Sequence, residues 1–160
     1  MRVSRRDWLR VAAGGIVVAL TPGVAEAATS VGAKPVKITV YKSPTCGCCK
    51  GWVDHMRAAG FEVVTHDVGE SAMDEVKATA GIAPALRSCH TGLVGKYAVE
   101  GHVPADVVKQ LLKQAPKVAG IAVPGMPIGS PGMEMPGRRA DRYDIIAFER
   151  SGKTRVFARR

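Results

Sequence analysis

The sequence predicts a single α/β domain with a mostly aliphatic core. Three observations carry this. Segments with strand-like alternation and segments with helical spacing follow one another along the chain. Hydrophobic residues make up 46% of the sequence but aromatic residues only 5%. The 160 residues are about what one ordinary domain needs.

The first 27 residues, MRVSRRDWLRVAAGGIVVALTPGVAEA, read as an export signal rather than as part of the fold. A basic opening leads into the apolar run Val11–Leu20 and then to Ala25-Glu26-Ala27, a small-x-small cleavage pattern. That run is shorter than the ~20 apolar residues a membrane-spanning helix requires. Within the basic part, Ser4-Arg5-Arg6-Asp7-Trp8-Leu9 resembles the twin-arginine signature, with Trp8 where phenylalanine is usual. Such signals carry proteins that have already folded. The expectation is therefore a mature chain that begins near Ala28, works outside the cytoplasm and has no stable membrane insertion once the signal is removed.

Residues 28–35 (ATSVGAKP) read as a flexible leader and residues 36–160 as the domain. Val36–Tyr41 alternates apolar and polar residues and predicts a strand, broken by Ser43-Pro44-Thr45. Trp52, Val53, Met56 and Ala59 recur at helical spacing, with Gly60 placed to end the helix. Phe61–His66 reads as a second strand. Ser71 can cap a short helix with Met73, Val76 and Ala80 on its apolar side and Gly81 as its stop. A short extended piece follows through Ala83-Pro84 to Leu86, and Lys96–Glu100 reads as a further strand. Pro104 opens a helix with Val107, Val108, Leu111, Leu112 and Ala115 on one face, closed by Pro116. In residues 120–137 (GIAVPGMPIGSPGMEMPG) glycine and proline dominate, which predicts irregular structure. Tyr143–Phe148 and Thr154–Ala158 read as a closing β-hairpin. A cysteine cluster between the first strand and the first helix is the arrangement of a thioredoxin-like domain.

The net charge of +9 raises the question of nucleic acid. The basic residues are scattered, form no run of five, and have no aromatic platform among them. Four arginines also fall within residues 1–27. A solvated basic surface accounts for the charge, and no nucleic-acid partner is expected.

The chemistry gathers on Thr45-Cys46-Gly47-Cys48-Cys49-Lys50. Three sulfurs stand at the start of a predicted helix, where backbone N–H groups and the helix dipole favour thiolate. Three uses stay open. Structural disulfides suit an even cysteine count outside the cytoplasm, as Cys46–Cys49 plus Cys48–Cys89, but the neighbours Cys48 and Cys49 fit such a framework poorly. Redox catalysis suits the Cys46-x-x-Cys49 pair, although a third thiol inside the motif can divert a disulfide. A soft metal suits the whole set, since Cu(I) prefers thiolate and thioether ligands. Zinc usually takes two separated cysteine pairs and is the weaker choice. Met126, Met133 and Met135 lie in a loop without helical spacing, so thioether ligation and hydrophobic cover both stay open. Of the histidines, His102 is the first candidate ligand and His90 the second, each weighed against an ordinary hydrogen-bonded role. His55 and His66 read as surface residues.

Three stretches, SPTCGCCKGWVDHM (43–56), SCHTGLVGKYAVEGHVPADVV (88–108) and GIAVPGMPIGSPGMEM (120–135), together are similar to the periplasmic metal-binding proteins of the CopG type, found with bacterial copper-resistance systems. The resemblance implies a thioredoxin-like fold and Cu(I) held by the sulfurs of Cys46, Cys48, Cys49 and Cys89, in a cluster of one or several ions. It brings forward His102 and Met126 as further site residues. It implies copper ions, and other periplasmic copper-handling proteins, as partners. Storage, delivery and cycling between Cu(I) and Cu(II) stay open, as does a thiol–disulfide oxidoreductase of thioredoxin type as the alternative function.

Overall fold

In the computed structural model the residues described are 34–160; the export signal assigned to 1–27, and the leader as far as residue 33, lie outside them. The described chain forms a mixed α/β unit with three α-helices and one seven-stranded sheet. In chain order these are β1 (Lys37–Lys42), α1 (Gly47–Ala58), β2 (Glu62–Asp67), α2 (Glu70–Thr79), β3 (His90–Val94), β4 (Tyr97–Glu100), α3 (Ala105–Gln114), β5 (Gly120–Ala122), β6 (Asp144–Phe148) and β7 (Thr154–Arg159). The sheet order is β2-β1-β3-β4-β5-β6-β7. β1 runs parallel to β2 and β4 parallel to β5; the other neighbours are antiparallel.

Local sequence explains most of these elements. Cys46 is the N-cap of α1, and Gly60 follows its end at φ +90°, where a side chain would be strained. Helix α3 turns Val107, Val108 and Leu111 onto the sheet. There they join Ile38, Val40, Trp52, Met56, Val99, Ile121 and Ile145 in the main core. Burial of these apolar side chains supplies the main driving force, about 1.5–3 kcal/mol for each fully buried one. Among the described residues no helix is long and apolar enough to cross a membrane.

Four local expectations are corrected. Gly69, not Ser71, occupies the N-cap of α2. Pro84–Leu86 is a turn of 3₁₀ helix instead of an extended piece, and the strand expected there lies at β3. Both faces of β3 are largely buried, so the polar alternation that announces a strand is missing. Gly92 within it is required by packing: a Cβ there would lie 2.9 Å from Ile38 Cδ1. Likewise β5 sits inside the stretch expected to be irregular. Gly120 is there because a Cβ would collide with the Ala98 carbonyl oxygen of the adjacent strand. Finally, His55 is half-buried rather than on the surface, and its Nε2 accepts the Ala105 N–H at 3.0 Å. Pro104, the N-cap of α3, makes no side-chain capping bond, so an orphan donor of that helix end is satisfied from α1.

Candidate metal centre

The cysteines of the CGCC segment meet Cys89 at the N-terminal end of α1. Cys46, as N-cap, accepts the Cys49 N–H through its sulfur at 3.3 Å. Cys48 Sγ lies 3.4 Å from Cys46 Sγ and 3.8 Å from Cys89 Sγ. Cys49, fully buried, places its sulfur 3.8 Å from the Cys89 carbonyl oxygen. Donor atoms of all four residues lie within 4.8 Å of one another.

The sulfurs are not all thiols. Cys46 and Cys49 form a disulfide, while Cys48 and Cys89 are free. In this state two of the four cysteines, Cys48 and Cys89, carry free sulfur, and reduction of the disulfide frees the other two. Of the two disulfides that the cysteine count allowed, one is formed and Cys48–Cys89 is not.

A second group of donors shares Cys89. Cys89, His90 and His102 also bring one donor atom each within 4.8 Å. His102 is buried and its Nδ1–H donates to the Pro131 carbonyl at 2.8 Å, which leaves Nε2 as the acceptor facing Cys89 Sγ at 3.1 Å. A ring nitrogen tied to a carbonyl while the other faces outward is the common setting of a metal-ligating histidine. His90 Nδ1 stands 3.4 Å from Cys89 Sγ. Its buried Nε2 has no hydrogen-bond partner among the described residues. Trp52 covers this histidine, ring centroids 4.4 Å apart, and donates its indole N–H to the Val103 carbonyl at 2.8 Å.

Burial governs the protonation of this group. It pushes the Cys89 thiol up to about 12, with the adjacent Cys48 adding to the rise. It also holds His90 well below its ordinary value, assisted by His102 and the Lys77 cation, and lowers His102 against the opposing effects of Pro131 and Glu134. The metal-free site therefore keeps neutral imidazoles and a protonated Cys89, and a metal ion that takes this sulfur displaces its proton.

The loop after β5 forms one wall. Gly132, at φ +84°, packs so closely on α1 that a Cβ would lie 2.5 Å from the Cys48 carbonyl oxygen. Gly51 is the matching small residue on the helix, its Cβ position 3.0 Å from Gly132 Cα. Sequence reasoning missed this glycine pair and the Pro131 carbonyl, because each acts on a residue distant in the chain. Met126 follows Gly125, whose carbonyl accepts the Ser88 hydroxyl at 2.6 Å, so its backbone is near the Cys89 segment. The Met126 side chain itself is 53% exposed. Met133 is partly buried and Met135 is exposed. His66 lies on the surface, stacked on Tyr41. Cys89 also borders a cavity of about 540 Å³ with Met73, Lys77 and Ser88. A cavity of similar size elsewhere, bordered by Tyr41, Val76 and Tyr97, contains none of these donors.

Sulfurs and neutral imidazoles converging on one partly buried end of the sheet define a protein with a cluster able to hold a metal ion. Residues 86–133 match the family described as "Protein of unknown function, DUF411". Two solved structures, titled copper resistance protein CopG form 1 and form 2, are each 44% identical to this chain. Each aligns with a TM-score of 0.73 over 79% of this chain, covering 98% and 99% of those structures. The chain belongs to this CopG-type copper-resistance family. A search of curated proteins finds no match.

Proposed function

We propose that this protein is a periplasmic copper-binding protein of copper tolerance, holding Cu(I) through Cys46, Cys48, Cys49 and Cys89. The observation that carries this is the approach of four cysteine donor atoms to within 4.8 Å of one another. Thiolate is the ligand Cu(I) prefers, and closely spaced thiolates can bridge several ions. The family membership supports copper as the cargo. His102 adds an imidazole nitrogen already aimed at Cys89, and Met126, on a loop tied to Ser88, adds a thioether.

In this reading β1 to β4 with α1 to α3 make a thioredoxin-like core. Its support is the sheet order β2-β1-β3-β4 with α1 starting from the cysteine segment. The loop around Met126 and the closing hairpin β6-β7 extend that core. The twin-arginine-type signal at residues 1–27 takes the folded chain to the periplasm, and other copper-handling proteins there exchange copper with it.

The disulfide gives the site a second chemistry. Breaking Cys46–Cys49 requires two electrons and yields two thiolates. Two Cu(I) ions passing to Cu(II) supply that number, so copper binding and copper oxidation can share one cluster. Thiol–disulfide exchange on other proteins is less well supported, since Cys48 stands 3.4 Å from Cys46, where it would divert a mixed disulfide.

The test is copper stoichiometry. Reduced, metal-free protein is loaded anaerobically with Cu(I), and copper per chain is measured for the wild type and Cys48→Ser. The variant is expected to retain well under half the copper. Equal stoichiometry in the two proteins would sink the cluster.

A further inference from the structure

A buried ion pair lies directly behind the Cys89 segment. Glu100 is 0% exposed and Lys77 4% exposed, with Lys77 Nζ 2.5 Å from Glu100 Oε1. The carboxylate does more than pair. Oε1 also accepts the Ser88 N–H at 2.6 Å, and Oε2 accepts the Thr91 hydroxyl at 2.6 Å. Lys77 reaches the same hydroxyl at 3.1 Å. Ser88 and Thr91 flank Cys89-His90, so one carboxylate grips both ends of the two-residue donor segment.

The fold makes this possible in three ways. Thr91 and Glu100 are register partners across β3 and β4. Lys77 comes from α2, four residues after the buried Met73, on the side that faces the sheet. Gly101, at φ +71°, lets Ser88 approach, since a Cβ there would lie 2.7 Å from the Ser88 side chain. Gly101 N–H also donates to the His90 carbonyl at 3.0 Å.

A buried ion pair is poor support for stability, because desolvation offsets the attraction and an apolar pair of like volume often does as well. Here the bonds run to the residues on either side of Cys89, a proposed ligand, and of His90, whose Nδ1 lies 3.4 Å from the Cys89 sulfur. Lys77 balances the carboxylate's charge, so no unpaired anion stands beside the thiolates.

We propose that Glu100, held by Lys77, is a positioning residue that fixes Cys89 and His90 for copper; the proposal rests on the copper reading above. Removing the grip keeps all four cysteines in the chain but lets the Cys89-His90 segment move, and the loss expected for such supporting bonds is roughly 10- to 100-fold in metal affinity.

The experiment titrates reduced, metal-free protein with Cu(I) against a competing chelator and records the sulfur-to-copper charge-transfer absorption. Melting of the same metal-free samples reports folding. The double variant Lys77→Met/Glu100→Leu removes charge and grip together. Lys77→Met/Glu100→Gln removes the charge but keeps an acceptor for Ser88 and a partner for Thr91. The first is expected to bind copper roughly 10- to 100-fold more weakly with an altered absorption envelope. The second is expected to recover the wild-type envelope and most of the affinity. Thr91→Val, which cuts the bond to Glu100 and the Lys77 bond to the same hydroxyl but spares the ion pair, reads the grip separately should the Lys77→Met/Glu100→Leu protein fail to fold. It is expected to weaken copper binding without loss of fold.

Wild-type affinity and spectrum in the folded Leu/Met protein, or in Thr91→Val, would overturn the positioning role. So would a Gln/Met protein as defective as the Leu/Met one. Failure of the wild type itself to take up copper would instead remove the copper reading on which the proposal stands.

Discussion

The two halves of the candidate metal centre are built differently. Cys46, Cys48 and Cys49 come from one helix start, so their closeness is a local property of the chain. Cys89, His90 and His102 come from the entry to β3 and the turn after β4, and meet through strand pairing. The first half is partly exposed at Cys46 and Cys48 and carries the disulfide. The second half is held by hydrogen bonds, with neutral histidines deep in the core and a thiol pushed up to about 12. In the copper reading proposed above, the contrast gives the disulfide chemistry to the helix start and the fixed geometry to the strands.

Exchanging one cysteine in each half should produce the largest effect and break the comparison if it is wrong. Cys89→Ser removes the sulfur shared by both donor groups. Copper per chain is expected to fall severalfold in metal analysis, with or without reductant. Cys46→Ser removes the disulfide and keeps three sulfurs. Its copper uptake is expected to lose its dependence on added reductant, whereas wild-type uptake rises when Cys46–Cys49 is reduced. A Cys89→Ser protein with a full copper load would show that the strand half is dispensable.

The wall that joins the halves is probed next. Gly132→Val places a side chain against the Cys48 carbonyl at a φ that a β-branched residue avoids. A loss of about 2–4 kcal/mol in urea unfolding is expected, from backbone strain plus overpacking. If stability is unchanged, the loop does not close on α1 as described.

A smaller effect sharpens the comparison. Trp52→Phe keeps a ring beside His90 and loses the bond to the Val103 carbonyl. About 1 kcal/mol of stability should disappear, with more where the carbonyl is left dry. Copper stoichiometry, set by the sulfurs, is expected to stay at the wild-type value.

Copper affinity should also follow pH. Cys89 is protonated throughout the neutral range, so its metal-bound form must release a proton. Each such proton strengthens binding about tenfold per pH unit as the medium becomes more alkaline, below the thiol's own titration. A Cu(I) titration at pH 6, 7 and 8 measures the slope, and a flat response would mean that Cys89 is not a ligand.

Much of the molecule follows from local sequence. The alternation in residues 36–41 and the apolar spacing in Trp52, Val53 and Met56 locate β1 and α1, and Pro104 with Val107, Val108 and Leu111 locates α3. These signals survive because each element shows one face to solvent. CGCC at a helix start is likewise visible, since three sulfurs within four residues cannot be far apart. Cys89, His90 and His102 could be named as donors from the sequence, but the partner each would find was not visible there.

Tertiary structure decided the rest. Strands β3 and β5 are covered on both faces, which erases the alternation that would have announced them. His55 reads as a surface residue in sequence, yet it serves the start of α3, and Lys77 is buried where it pairs with Glu100. The state of the cysteines also depended on folding, because the CGCC spacing permits both a disulfide and a free cluster. The physical reason is common to these cases. A residue's neighbours along the chain set its backbone preference, whereas burial, charge pairing and sulfur chemistry depend on groups that only long-range strand pairing brings within reach.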